Sequence, residues 1–261
     1  MLQGDSNALA TMMRVMNTIL AEYLGKFLWV YLDDIVVFSD TVQQHLEHLH
    51  LIFNKLRKHK FYLKISKCGF MQDELKLLGH IIRGHQILPH PERIRKLQEW
   101  TTPRNKEELQ SFLGVVNYMA PHLPHTSTIL APLTALTGKA EWRWDNVQQM
   151  AFEQIKRQCN YHVPITPAIY DNIRKGSTKV FLVTDASKVG CGAVICHATD
   201  LNSARNRIAA LLSRWFNSAQ ENYTTTDQGL LAIIDAITTS ESKLLGIPFT
   251  IVTDQKALQY R

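Results

Sequence analysis

The chain has 261 residues, 45% of them hydrophobic and 20% charged, a balance that excludes a disordered or fibrous protein. That length holds two modest domains, or one with appendages. The net charge of +6 and pI of about 9.1 are compatible with a polyanionic partner without proving one. No signal peptide and no apolar run near membrane-spanning length stands in the sequence. The expectation is an intracellular protein with no membrane partner, cytoplasm or nucleus undecided. Cys68, Cys159, Cys191 and Cys196 have no paired metal-type spacing, and Cys191 and Cys196 read as core thiols. His45, His48 and His50 lack the Cys or Glu companions of a zinc site.

In chain order, residues 7–24 carry Leu9, Met12, Met13, Met16, Ile19 and Leu20 at helical spacing, which predicts an amphipathic helix. Two β-type runs follow, Phe27-Leu28-Trp29-Val30 and Ile35-Val36-Val37-Phe38. They predict a hairpin with Asp33 and Asp34 at its tip. Paired aspartates are poor turn chemistry, because tight hairpin turns favour Asn-Gly or Asp-Gly and like charges repel. Either this is a solvated acidic turn, or the carboxylates serve a divalent cation bound to phosphate oxygens. Thr41 and Gln44 suggest a capping box for a helix lined by Leu46, Leu49, Phe53 and Leu56. Between positions 54 and 71 stand Lys55, Arg57, Lys58, Lys60, Lys64 and Lys67 without any acid. That block is a solvated face or, beside a metal-type hairpin, a phosphate track. Strands are predicted at 61–65 and 77–82.

Pro89 and Pro91 mark the next boundary. Helices are predicted at 92–100, from the Asn105 cap (with Glu108 at the third helical position) to Tyr118, and after Asp145. The Pro-containing stretch 163–167 reads as a linker. Beyond it, Val180-Phe181-Leu182-Val183-Thr184-Asp185 and Phe249-Thr250-Ile251-Val252-Thr253-Asp254 each read as an apolar strand ending in an Asp. Ligand sites of α/β sheets favour that edge. A single such Asp is ordinarily a helix cap, whereas two in the same local sequence favour a metal pair. Further strands are predicted at 192–196 and 208–212, and a helix at 226–240.

Taken in order, Gly4-Asp5-Ser6-Asn7-Ala8, Tyr31-Leu32-Asp33-Asp34-Ile35, Ser66-Lys67-Cys68-Gly69-Phe70, Leu78-Gly79-His80, Ser111-Phe112-Leu113-Gly114, Ala131-Pro132-Leu133-Thr134, Thr184-Asp185-Ala186-Ser187, Asn222-Tyr223-Thr224-Thr225-Thr226 and Thr253-Asp254-Gln255-Lys256-Ala257-Leu258 form a recognisable series. It resembles the Pol polyprotein of gypsy-class LTR retrotransposons over essentially the whole chain. The resemblance implies an α+β fold with a partial reverse-transcriptase palm at 1–88 and a mainly helical thumb and connection at 89–167. A ribonuclease H-like α/β domain, truncated at its C-terminal end, follows at 168–261. It implies catalytic, metal-binding roles for Asp33 and Asp34 in DNA synthesis, and for Asp185 and Asp254 in hydrolysis of RNA in RNA–DNA hybrids. The cofactor would be Mg²⁺ or Mn²⁺ in two-metal sites, with ions about 4 Å apart. Nucleic-acid contacts to primer–template and hybrid are expected at Asn7, Tyr31, Lys64, Lys67, Gly79 and His80.

The chain also departs from the family pattern. The family has a further catalytic Asp and the fingers upstream, so an upstream Pol segment is expected to complete the polymerase; Asp5 is no substitute, because no strand precedes it. The family's T-x-K-E-L-L-A helix reads Thr226-Asp227-Gln228-Gly229-Leu230-Leu231-Ala232 here, so Gly229 takes the place of a metal-ligating Glu. Asp227 lies about 200° away round the helix and cannot replace it. The sequence ends before the family's fourth ribonuclease H carboxylate, and Leu9 stands where the family usually has Pro. Two functional expectations follow. One is an RNA-directed DNA polymerase with ribonuclease H activity, both activities impaired; the other is an inactive remnant that at most binds nucleic acid. By itself the chain is expected to extend no primer and to cut hybrids negligibly. An unrelated α+β protein with acidic turns is the bland alternative.

Overall fold

Two short strands, β1 (Leu28–Tyr31) and β2 (Asp34–Val37), pair antiparallel from Leu28 opposite Val37 to Tyr31 opposite Asp34. The computed structural model that contains them describes residues 8–138 and 140–258, so Asn7 lies outside the described residues. The chain divides into two compact units, residues 1–72 and 73–261. In the first, α1 (Ala8–Ile19) precedes the hairpin and α2 (Val42–Lys58) follows it. Their apolar faces meet in a core of Met16, Ile19, Leu20, Leu28, Ile52 and Leu56. Thr41 caps α2 by accepting from the Gln44 amide at 3.2 Å. That is half of the expected capping box; the return bond from the Gln44 side chain is not among the described residues' bonds.

The strand expected at 61–65 does not form. α2 ends in a Schellman motif: the Lys60 amide donates to Arg57 O at 3.1 Å and the Phe61 amide to Leu56 O at 2.9 Å, with Lys60 at φ 60°. This turns the chain sharply and leaves it without a partner strand. Tyr62 is 89% exposed and Ile65 78%, and only a 3₁₀ turn, Ile65–Lys67, follows.

The second unit opens with an antiparallel meander of β3 (Glu74–Leu77), β4 (His80–Arg83) and β5 (Gln86–Pro89). The single strand expected at 77–82 is therefore two. Leu78 (φ 50°) and Gly79 (φ 76°) form the turn, with both central residues in the left-handed region that two-residue hairpin loops demand. Helices α3 (Pro91–Gln98), α4 (Lys106–Met119), α5 (Thr126–Thr134) and α6 (Asn146–Gln158) come next. Asn105 caps α4 by accepting from the Glu108 amide at 2.8 Å, and Asp145 with Gln148 makes a full capping box on α6. Leu97, Leu109, Phe112, Val116, Met119, Leu133, Phe152 and Ile155 build the core between these helices. No separate helix is named at α5 in the sequence reading, and Pro132 stands inside it. Burial of Ile129, Leu130 and Leu133 outweighs the proline inside the helix.

Nor is 163–167 a free linker. Ile165 exchanges two backbone bonds with Ile87 (2.7 and 2.9 Å), and the Thr166 amide donates to Ile208 O at 2.6 Å. The stretch thus ties the meander to a four-stranded sheet. That sheet, after α7 (Tyr170–Arg174), comprises β6 (Lys179–Ser187), β7 (Gly190–Ala198), β8 (Ile208–Trp215) and, beyond α8 (Thr225–Thr239) and α9 (Glu241–Leu244), β9 (Phe249–Thr253). The order is β8-β7-β6-β9, with β9 parallel to β6 and the other neighbours antiparallel. Both inner strands outrun the expected bounds. β6 continues past Asp185 to Ser187, because the β6–β7 hairpin runs on as far as Ser187 opposite Gly190. Cys159, Cys191 and Cys196 are buried and unbridged; burial pushes the Cys159 and Cys191 thiols up to about 11, which fits core thiols rather than nucleophiles.

Candidate active sites and nucleic-acid interface

At the hairpin tip, Leu32 and Asp33 are the two loop residues between the paired Tyr31 and Asp34. The conformational cost falls on Leu32, at φ 51°, and not on either aspartate. A positive φ at the first loop position is ordinarily met by Gly, and an L-residue there costs about 1–2 kcal/mol. Strain held at this point is characteristic of functional turns. It presents Asp33 and Asp34 as exposed neighbours, neither of which has an ion pair among the described residues. Tyr31 ends β1 at 46% exposure. Lys64 and Lys67 lie exposed in the irregular stretch after α2. Within the basic block, Lys55 is engaged by Glu22; the other five cations have no acid partner among the described residues.

The second acidic site arises from strand register. Thr184 on β6 pairs with Thr253 on β9, so Asp185 and Asp254 emerge side by side from strands about 4.8 Å apart. Both are exposed. With Thr184, Ala186, Thr225, Gly229, Ala232, Thr253 and Gln255 they line a depression of about 130 Å³. Gln255 donates through Nε2 to Thr226 Oγ1 at 3.0 Å, which fastens the end of β9 to the start of α8. Gly229 is buried on the face of α8 toward this depression, and a Cβ there would meet Gln255 and Leu258 at 3.5 Å, an ordinary contact. The position therefore has room for a Cβ, and no close contact at that atom requires glycine. Asp227 does not line the depression; the Thr224 hydroxyl donates to its carboxylate at 2.7 Å, and its amide donates back to Thr224 Oγ1 at 3.2 Å, so it serves the helix cap. The Thr184 hydroxyl is buried and has no hydrogen-bond partner among the described residues.

The donor chemistry fits a hard divalent cation only in part. Asp185 and Asp254 supply two carboxylates, enough for one ion completed by water. A bridged pair of ions calls for more, and where a third side chain would stand Gly229 offers none. Among the described residues no three His, Cys, Asp or Glu come together as a metal-binding group.

A third cluster surrounds the Leu78-Gly79 turn, where sequence placed Gly79 and His80. The His80 ring stacks on Tyr118 of α4, centroids 4.9 Å apart, and lies 5.3 Å from His122. The Tyr118 hydroxyl donates to Leu78 O, and His122 Nδ1 donates to Val163 O at 3.0 Å. Burial lowers the pKa of His80, helped by the charge of Arg93. Burial also lowers that of His122; its bond to Val163 opposes the shift, while His80 and His162 add to it. Both rings therefore favour the neutral form when folded, while the unfolded chain takes up protons near pH 6.5. Their contribution to stability is full above about pH 6.5 and is lost as pH falls below it. The urea midpoint of the second unit is expected to fall between about pH 7 and about pH 5, and to fall less in His122→Gln. An equal fall in that variant would contradict the assignment. Sequence reading missed Arg93, because nothing in its local pattern announces the tertiary approach, and gave no site role to Thr225, although it stands in the Asn222-to-Thr226 motif.

Residues 1–82 match the family model of reverse transcriptase (RNA-dependent DNA polymerase), and residues 175–261 that of the RNase H-like domain found in reverse transcriptase. The two segments thus match families that act as RNA-directed DNA polymerases and ribonucleases H and generally use divalent metals. The Tf2-3 polyprotein of Schizosaccharomyces pombe is 33% identical over 258 residues, 98% of this chain and 19% of the polyprotein. The retrovirus-related Pol polyprotein from transposon 297 of Drosophila melanogaster is 32% identical over 259 residues, 98% of this chain and 23% of its own length. The chain matches retrotransposon Pol polyproteins along nearly its whole length, and it spans about a fifth of the length of these relatives. Among solved structures, the foamy viral protease-reverse transcriptase in complex with RNA/DNA hybrid matches with a TM-score of 0.80 at 23% identity, over 97% of this chain and 33% of that one. The same protein in complex with dsDNA matches with a TM-score of 0.84 at 23% identity, over 99% and 52%. These structures establish the shared fold. Among the described residues no helix is long and apolar enough to cross a membrane.

Proposed function

We propose that this chain is the palm (1–88), thumb and connection (89–167) and ribonuclease H-like (168–261) portion of a gypsy-class Pol, and that it binds primer–template and RNA–DNA hybrids. Asp33 and Asp34 would hold Mg²⁺ or Mn²⁺ for RNA-directed DNA synthesis, together with groups from an upstream Pol segment. Tyr31, Lys64, Lys67, Gly79 and His80 would contact the nucleic acid. Asp185 and Asp254 would hold a metal for hydrolysis of the hybrid's RNA strand, an activity weakened in this chain. The observation that carries the reading is the register that sets Asp185 beside Asp254 in one depression with Gly229. The same observation favours a second reading, in which the ribonuclease H site binds hybrid without turnover. Binding of an RNA–DNA hybrid, followed by fluorescence anisotropy across a salt series, tests the proposal. Affinity is expected to fall steeply with salt, as counterion release from several phosphate contacts requires. Absent or salt-independent binding would refute a nucleic-acid role.

A further inference from the structure

The Leu78-Gly79 turn is covered by a cation that is not among the nucleic-acid contacts proposed above. Arg93, on α3, lays its guanidinium directly over the turn: a Cβ at Gly79 would stand 2.3 Å from its Nε and 2.5 Å from its Nη2. Only glycine admits that approach. Arg93 Cζ also lies 4.0 Å from the centroid of the Tyr118 ring, the same ring that stacks on His80 and reaches back to Leu78 O. Turn, ring and guanidinium therefore hold one another in place. Stacking occupies the faces of a guanidinium and leaves its N–H donors, which lie in the plane, available. Among the described residues no carboxylate pairs with Arg93, whereas Arg95 on the same helix lies 4.0 Å from Glu99. A half-buried, fixed guanidinium with an unspent donor edge is suited to an anion that can meet it two-pronged, as a phosphodiester does.

We infer that Arg93 is a positioning residue whose guanidinium edge holds one phosphodiester of bound hybrid at the Leu78-Gly79 turn. The inference rests on the proposed placement of nucleic acid at Gly79 and His80. Neighbouring contacts give the arm its precision: the ring of Tyr118 lies against the guanidinium, and the missing side chain at Gly79 lets the guanidinium lie directly on the turn. Lysine would keep the charge but lose the planar fork.

The test measures hybrid binding by the full chain across a salt series for the parent, Arg93→Gln, Arg93→Lys and Arg95→Gln. Arg93→Gln keeps a stem over Gly79 and Tyr118 while removing the charge. It is expected to bind about tenfold more weakly, with a log–log salt slope smaller by roughly the value of one phosphate, about 0.7–0.9. Arg93→Lys is expected to keep the slope and lose a few-fold in affinity. Arg95→Gln, about 200° away round α3, is expected to leave the slope unchanged. A merely structural role for Arg93 would lower the melting temperature and leave the slope intact, and that result overturns the inference. So does an equal loss of slope in Arg95→Gln, which would mark a general charge effect. If the parent binds with a salt slope and Arg93→Gln matches it, the inference alone falls; if the parent shows no salt-dependent binding, the proposed function falls with it.

Discussion

Replacing Phe112 by Ala is expected to cost about 3–5 kcal/mol, comparable with the whole stability of many domains, about 5–15 kcal/mol. Phe112 is fully buried on α4, its ring 4.8 Å from Phe152 and 5.8 Å from Trp100. The core around it joins α3, α4, α5 and α6, so the cavity left by truncation has walls on several elements that cannot all collapse at once. Urea unfolding followed by tryptophan fluorescence reports on this directly, because Trp100, Trp142 and Trp144 pack against the same core. A loss below about 1.5 kcal/mol, the range of volume-conserving swaps, would mean that the helices are not packed as described.

Gly229→Glu is expected to strengthen Mg²⁺ binding at the depression formed by Asp185 and Asp254 by about tenfold or more. Outer-shell partners of a metal are worth about 10–100-fold in affinity, and a direct carboxylate ligand should not be worth less. The backbone admits a Cβ at 229, which makes only ordinary contacts at 3.5 Å. Gly in a helix interior costs about 1 kcal/mol against Ala, so Gly229→Ala should be more stable than the parent without binding metal better. That variant separates the helix effect from the ligand effect. The readouts are the thermal shift on adding Mg²⁺ and cleavage of a labelled hybrid. Cleavage should rise from negligible to measurable without reaching the rate of a complete enzyme. Equal Mg²⁺ shifts in the parent and Gly229→Glu would contradict the placement of position 229 in the site.

Much of this was legible in the sequence wherever a local rule also decides the tertiary outcome. The hairpin around Asp33 and Asp34, the Asn105 and Asp145 caps, and the β6 and β9 strands all follow from short-range patterns, and all form. The α8 helix likewise forms where its pattern put it. Patterns failed where a remote contact outvotes them. Residues 61–65 have strand composition but no neighbour to pair with, and the Schellman turn at Lys60 sends them into solvent. α5 forms despite Pro132 because its apolar face packs against α6. Residues 163–167 look like a linker but stitch two sheets together through Ile165 and Thr166. At the sites, the sequence named the acids but misjudged the strain, which lies on Leu32. It could not find Arg93, whose importance comes from a glycine fourteen positions earlier and a tyrosine on another helix.

The most direct measurement is cleavage of an RNA–DNA hybrid by the unmodified chain in Mg²⁺, with Asp185→Asn alongside. Negligible cutting by both is expected, because two carboxylates and a glycine do not make a two-metal site. Robust cutting by the unmodified chain that Asp185→Asn abolishes would contradict the claim that Gly229 leaves the ribonuclease H centre incomplete.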